Sequence, residues 1–209
     1  MSSNLVLYVD AQFVSPFAMP PFVALHEKGL SFEMKAVDLV TRENLESGYV
    51  SASLTGRIPM LVHDGFALSE SSAIVEYVDE VFPGPALMPL EAGKRARARQ
   101  VMAWLRTDLA PIRAERSSTT IFHKADLPPL SEAAAEAAGK LFFVADNLLS
   151  ERGDGLFDEW SIADLELAFM LNRLVANGDA VPGRLADYAR RQFDRPAARL
   201  WVDLKRPAG

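Results

Sequence analysis

Gly56-Arg57-Ile58-Pro59-Met60-Leu61-Val62-His63-Asp64-Gly65-Phe66-Ala67-Leu68-Ser69-Glu70-Ser71-Ser72-Ala73-Ile74-Val75-Glu76-Tyr77 is the stretch that decides the fold. Residues 58–63 are a short, mostly apolar run of strand length. Asp64-Gly65 is a pair preferred in a two-residue hairpin, whose turn needs positive φ at both central positions. Residues 66–68 therefore return antiparallel. Ser69 or Glu70 opens a helix, and Ala73, Ile74, Tyr77, Val78 and Val81 repeat at helical spacing.

Upstream, residues 5–9 (Leu-Val-Leu-Tyr-Val) form an apolar run suited to a buried strand, ended by Asp10. Ser15-Pro16 marks a helix start, since Ser caps orphan N–H groups and Pro is preorganised for the first helical position. That helix is expected to run to Lys28 and stop at Gly29. Residues 32–40 read as a second strand, ending near Asp38-Leu39, and residues 41–50 as a polar, weakly helical connection. The order is β-α-β-α-β-β-α. A helix joins the first two strands, so they should be parallel.

Downstream, Phe82-Pro83-Gly84-Pro85 breaks the pattern. The expected organisation is an α/β domain over 1–84, a linker over 85–90 and an all-helical domain over 91–209. Residues 91–116 read as one long helix bent at Pro111. Ser131 caps an Ala-rich helix reaching about Ser150. Ser161-Ile162-Ala163-Asp164 reads as a capping box, with Trp160 and Leu165 placed for a hydrophobic staple. Pro182 and Pro196 start the last two helices.

The composition is that of a globular protein: 209 residues, 49% hydrophobic, 24% charged. The absence of cysteine removes disulfides, thiolate metal sites and any cysteine nucleophile. Three histidines leave little for a metal site, and none is expected. The net charge of −6 argues against nucleic-acid binding. It is unevenly spread: residues 1–84 carry 4 Lys/Arg against 11 Asp/Glu, a net of −7, and the remainder carries 18 against 17, a net of +1. The N-terminus lacks the basic region of a signal peptide, and the longest apolar runs fall well short of the ~20 residues a membrane helix needs. A cytoplasmic protein without membrane association is expected.

Three places offer chemistry. At Ser15, a hydroxyl meets a helix N-terminus, where free N–H groups favour an anion such as a thiolate. The same residue serves as a plain N-cap. At Ile58-Pro59, a cis bond would turn the Ile58 backbone N–H and C=O outward to pair with an extended peptide. A trans proline at a strand edge is the alternative. Ser69-Glu70-Ser71-Ser72 could hold the carboxylate and amine of an amino-acid ligand, or be an ordinary helix start.

The three signals in this order, with Gly-Arg-Ile-Pro, Leu-Ser-Glu-Ser-Ser-Ala-Ile-Val-Glu-Tyr, the Asp-Gly hairpin and the Ser-Ile-Ala-Asp box, resemble the glutathione S-transferase superfamily over essentially the whole chain. Trp104-Leu105-Arg106, Thr107-Asp108-Leu109 and Pro111-Ile112-Arg113 are similar to the bacterial YfcF-like group of its serine-type members. The resemblance implies a thioredoxin-like N-terminal domain, an all-α C-terminal domain and a homodimer. It implies that Ser15 is catalytic, hydrogen-bonding the glutathione sulfur as thiolate. It implies that Ile58, before Pro59, pairs with the cysteinyl backbone, that Glu70 and Ser71 hold the γ-glutamyl end, and that Arg57 is a candidate for the glycyl carboxylate. Glutathione is then a consumed co-substrate, with no permanently bound cofactor.

Some residues depart from the family pattern. Ser53-Leu54 replaces the Asn-Pro often found before the glycine, and the beta-type cysteine position falls on Phe17. Tyr8 is spaced too far from the helix for the tyrosine-type role and reads as core or edge. Arg99, Arg106 and Arg113 recur every seven residues. They form either a solvated face paired with Glu91, Asp108 and Glu115 or, for Arg106 and Arg113, a second-substrate site that attracts an anion. Trp104 reads as core. The implied activity is glutathione transfer to a small electrophile or hydroperoxide, as in detoxification or oxidative stress. The alternative is a low-activity or non-catalytic protein of this fold that binds a ligand or another protein.

Overall fold

The computed structural model describes residues 4–123, 125–149 and 154–207. The chain forms two compact units: unit 1 holds it up to Leu87 and again from Asp203, and unit 2 holds Met88–Val202.

Unit 1 is built on a four-stranded mixed sheet in the order β2-β1-β3-β4. Its strands are β1 (Leu5–Asp10), β2 (Glu33–Val37), β3 (Met60–His63) and β4 (Phe66–Ser69). β1 and β2 are parallel, as the helical crossover between them requires. β3 pairs antiparallel with both β1 and β4. Leu5, Leu7 and Val9 lie at the centre of the core, which explains the unbroken apolar run of this central strand. Asp64 and Gly65 take φ of 48° and 89°, so the hairpin turn has the expected two positive-φ positions.

Helix α1 (Met19–Glu27) starts one turn later than the Ser15-Pro16 pair suggests. Residues 16–18 form a turn instead, and Met19 N–H donates to the Ser15 carbonyl. Pro20 and Pro21 then fill the first helical turn, where a missing N–H leaves nothing unpaired. β2 is shorter than expected and ends at Val37. The polar connection contains a 3-10 turn (Glu43–Leu45) and helix α2 (Ser47–Ser53).

Helix α3 (Ser71–Val81) buries Ser71, Ile74, Val75 and Val78. Ala73 and Val81, expected on that face, are exposed, because the 3.6-residue period selects 71, 74, 75 and 78. Tyr77 is half-buried and its hydroxyl lies 2.8 Å from His63 Nδ1. Lys28, at the end of α1, pairs with Asp79 of α3 at 2.9 Å, both side chains being buried. The same Asp79 oxygen accepts the Leu87 N–H at 2.9 Å.

Unit 2 is helical. The expected long helix is two helices, α4 (Ala92–Thr107) and α5 (Ala110–Glu115), broken at Asp108-Leu109. Pro111 sits in the first turn of α5 rather than inside a bent helix. A short α6 (Thr119–Phe122) follows. α7 (Glu132–Leu148) is capped by Ser131 Oγ, which accepts the Ala134 N–H at 3.2 Å. At the start of α8 (Ile162–Val175), the Ser161 N–H donates to Asp164 at 2.9 Å, the reciprocal bond of the capping box. Asp164 also accepts from Leu156 N–H and Tyr188 hydroxyl, so the box is a buried polar hub. α9 (Gly183–Phe193) and α10 (Pro196–Val202) complete the unit. α8 is buried nearly all round and forms its axis. Among the described residues, no helix is long and apolar enough to cross a membrane.

Candidate active site at one end of the sheet

The strand register brings three distant segments to one end of unit 1. Tyr8 of β1 faces Met60 of β3, and Met60 faces Ser69 of β4. Because β3 runs opposite to both neighbours, the end of β1, the start of β3 and the end of β4 form one row. The loop to Ser15, the Ile58-Pro59 bond and the Glu70-Ser71 pair all extend from that row. Adjacent strands lie about 4.8 Å apart, so the row from β1 to β4 spans about 10 Å, the reach of an extended tripeptide.

Ser15 is buried. Its Oγ accepts the Phe17 N–H at 3.2 Å and the Ala18 N–H at 3.3 Å. A serine hydroxyl has two lone pairs and one hydrogen. Both lone pairs are engaged, and the hydrogen has no acceptor among the described residues. The hydroxyl is therefore set to donate to a ligand.

Asp10, at the end of β1, holds the loop that carries Ser15. Its carboxylate oxygens accept the Val14 N–H at 2.8 Å and the Ser15 N–H at 3.1 Å. Burial raises the Asp10 pKa above the ordinary carboxylate value, while those N–H donors and the charge of Arg206 oppose the rise. In the sequence Asp10 only terminates an apolar run. The usable signal was a charge directly at the end of an apolar run of strand length.

The Ile58-Pro59 bond is cis. Neither the N–H nor the C=O of Ile58 has a hydrogen-bond partner among the described residues, so both remain to pair with an extended ligand. The segment before them is pinned by side chains that sequence reasoning did not single out. Ser53 Oγ accepts the Gly56 N–H at 2.9 Å, and Asn44 Nδ2 donates to the Gly56 carbonyl at 2.7 Å. The Tyr49 hydroxyl donates to the Arg57 carbonyl at 3.1 Å. Burial, with a smaller effect of Tyr8, raises the Tyr49 pKa, which keeps that hydroxyl a donor. Ser69 Oγ donates to the Ser53 carbonyl at 2.6 Å. Gly56 has φ of +62°, and a Cβ there would stand 3.4 Å from the Asn44 carbonyl oxygen. The Arg57 side chain is exposed and has no hydrogen bond or ion pair among the described residues.

Glu70 precedes α3 with φ of 72° and ψ of 113°, a strained backbone for a residue with a Cβ. Its side chain is exposed and makes no capping bond to the helix. Ser71 is buried in the first turn. Backbone strain of this kind concentrates at functional sites.

Comparison with known proteins identifies the family. A family model described as glutathione S-transferase, N-terminal domain, matches residues 14–81, and one described as glutathione S-transferase, C-terminal domain, matches residues 90–206. The chain belongs to the glutathione S-transferase superfamily. Its glutathione S-transferase fold pairs a thioredoxin-like N-terminal domain with a helical C-terminal domain. A glutathione transferase homologue from Burkholderia (BGR1), solved with bound glutathione, is 46% identical, with 95% of this chain and 96% of that chain covered and a TM-score of 0.78. The maleylacetoacetate isomerase of Methylobacterium extorquens AM1, solved with bound malonate and GSH, is 26% identical over 97% of this chain and 98% of that chain, with a TM-score of 0.73. Glutathione S-transferase 1 of Dianthus caryophyllus is 38% identical over 90 residues, which is 43% of this chain and 41% of that one. The match thus spans about two fifths of that curated relative.

In this glutathione S-transferase family member the heptad arginines do not form one solvated face with the expected acids. α4 ends at Thr107, so Arg113 lies on a different helix from Arg106. Arg106 pairs with Glu166 of α8 at 2.5 Å, and Arg113 donates to the Leu105 carbonyl at 2.9 Å. The acids are engaged elsewhere. Glu91 caps α4 through the Gly93 N–H, Asp108 binds Trp104 Nε1 and Lys140, and Glu115 accepts from Ser131. Trp104 packs against the unit 2 core while its indole N–H bonds Asp108. Tyr8 packs edge-on against Tyr49 at 5.8 Å, and the Lys35 ammonium lies 5.8 Å from its ring centre.

Proposed function

We propose that the protein is a glutathione transferase that activates the thiol of bound glutathione for attack on a small electrophile or hydroperoxide. The observation that carries this reading is the Ser15 hydroxyl, whose oxygen is occupied by two N–H donors and whose hydrogen is left to a ligand. A hydrogen bond to the charged form of a thiol favours that form and lowers its pKa. Ile58 would pair with the cysteinyl backbone, beside Pro59. Glu70 and Ser71 would hold the γ-glutamyl amine and carboxylate, and Arg57 the glycyl carboxylate. The Burkholderia relative, solved with glutathione, supports the choice of ligand.

Arg106 and Arg113 are proposed for the second substrate, where a guanidinium would attract an anion. The isomerase relative supports a second reading, glutathione-dependent isomerisation, because that reaction uses the same thiolate. A serine-type, YfcF-like assignment, a homodimer and a cytoplasmic location complete the proposal, as do domain limits of 1–84 and 91–209 with a linker over 85–90.

The deciding experiment is ultraviolet titration of bound glutathione. The expected result is a thiol pKa clearly below that of a free thiol, about 8.5. An unshifted value would sink the transferase reading. Parallel assays with a chlorodinitrobenzene-type electrophile, an organic hydroperoxide and a maleyl substrate then separate conjugation, peroxide reduction and isomerisation.

A further inference from the structure

The loop between β1 and Ser15 has a support from the far end of the chain. Beyond Val202 the chain belongs to unit 1. There Arg206 Nε donates to the Phe13 carbonyl at 3.1 Å, across 193 positions of sequence. Arg206 Nη1 donates to the Leu204 carbonyl at 3.0 Å, which fixes the guanidinium within its own segment. Its charge acts on Asp10 and on Asp203.

Phe13 is a point where such a support is needed. Its φ is 52°, a left-handed backbone that a residue with a Cβ keeps only when its surroundings hold it. Its N–H donates to the Asp10 carbonyl at 3.0 Å, closing a tight turn. The Asp10 carboxylate then takes the N–H groups of the next two residues, Val14 and Ser15. The loop is thus gripped at one carbonyl by an arginine and at two N–H groups by an aspartate, and the two gripping charges attract.

We propose that Arg206 is a positioning residue for the reaction, holding the Phe13 carbonyl so that the Ser15 hydroxyl is aimed at the bound thiol. The inference deepens the transferase reading and rests on the role of Ser15 in it. Arg206 donates hydrogen bonds to backbone carbonyls, at Phe13 and Leu204. It acts through the loop, and misplacement of a reacting group by about 1 Å can lower a rate on the order of a hundredfold. Burial already works against an ionised Asp10, and the charge of Arg206 opposes that effect. An ionised carboxylate is the stronger acceptor for the Val14 and Ser15 N–H groups.

The test uses the full chain and compares the parent with Ser15→Ala, Arg206→Met, Arg206→Lys and Lys205→Ala. Arg206→Met keeps the aliphatic stem and removes charge and donors. Three quantities are measured: the thiol pKa of bound glutathione by absorbance, its dissociation constant by calorimetry, and kcat against pH with a chlorodinitrobenzene-type electrophile. For Arg206→Met the bound thiol pKa is expected to rise about one unit, so that kcat near pH 6.5 falls about tenfold and the gap closes at alkaline pH. Glutathione affinity should stay within about threefold, because the peptide clamp at Ile58 and Glu70 is intact. Arg206→Lys should recover most of the loss, and Lys205→Ala, an exposed neighbour, should match the parent. Arg206→Gln carries the same test if Arg206→Met does not fold.

A thiol pKa and pH profile equal to the parent's in the Arg206 variant, even with a lower melting temperature, would overturn the proposal. A parent in which the thiol pKa is not lowered would overturn the transferase reading, and this proposal with it. A lowered parent value that Ser15→Ala raises and the Arg206 variant does not would overturn the proposal alone.

Discussion

The Ser15 hydroxyl combines two tasks: its oxygen terminates the turn before α1, and its hydrogen is left for a ligand. Ser15→Ala should separate them. Removing one positioned donor to a developing or bound anion typically lowers kcat by about a hundredfold, and losing the acceptor of the Phe17 and Ala18 N–H groups lowers stability by about 1 kcal/mol. Steady-state kinetics with urea denaturation reads both, while calorimetry should find glutathione affinity nearly unchanged. Equal turnover of variant and parent would remove Ser15 from the reaction. At Glu70 the strained backbone predicts a different outcome. Glu70→Gly relieves a φ of 72° and should stabilise the protein by about 1 kcal/mol. The same change removes the carboxylate proposed to hold the glutathione amine, so affinity should fall. A variant that binds as well as the parent would show that Glu70 does not contact the ligand.

Elements add effects that no single residue carries. α8 is buried nearly all round, yet it holds Glu166. Burial raises the Glu166 pKa to about 7, and Arg106 opposes that rise. The folded state therefore binds a proton at Glu166 more tightly than the unfolded chain, whose ordinary value is 4.5. The contribution of Glu166 to stability must fall as pH rises between these two values. Urea midpoints of the parent and Glu166→Gln at pH near 5 and near 8 test this, with the expected shift moving in favour of the glutamine variant at the higher pH. A difference that does not change with pH would show that Glu166 does not titrate in this window. The elements also show what sequence periodicity resolves. The hairpin at Asp64-Gly65 and the caps at Ser131 and Ser161 were legible because they act within four residues. The break between α4 and α5 was not. The seven-residue arginine spacing continues across it, and only the packing of Leu109 and Ile112 into the unit 2 core shows where the chain turns.

Across the whole molecule the charge is divided unevenly. Residues 1–84 carry a net of −7, from 4 Lys/Arg against 11 Asp/Glu, and they include the proposed glutathione site. Glutathione is itself anionic at neutral pH, so the acidic field opposes its approach, and salt screens fields beyond about 10 Å at 0.1 M. The KM for glutathione should therefore fall, on the order of twofold, when salt is raised from about 0.01 M to about 0.2 M. A rise would show that nearby cations such as Arg57 outweigh the unit's net charge. By itself the sequence determined the element order of the α/β unit, the parallel first pair of strands and the hairpin. These follow from periodicity and turn chemistry, which act over a few neighbours. Only the tertiary structure decided that Asp10 holds the Ser15 loop, that Asn44, Ser53 and Tyr49 pin the segment before Pro59, and that Arg206 returns to Phe13. A hydrogen bond across 193 positions leaves no local pattern, because it is made by the packing of a finished core and not by the preferences of adjacent residues.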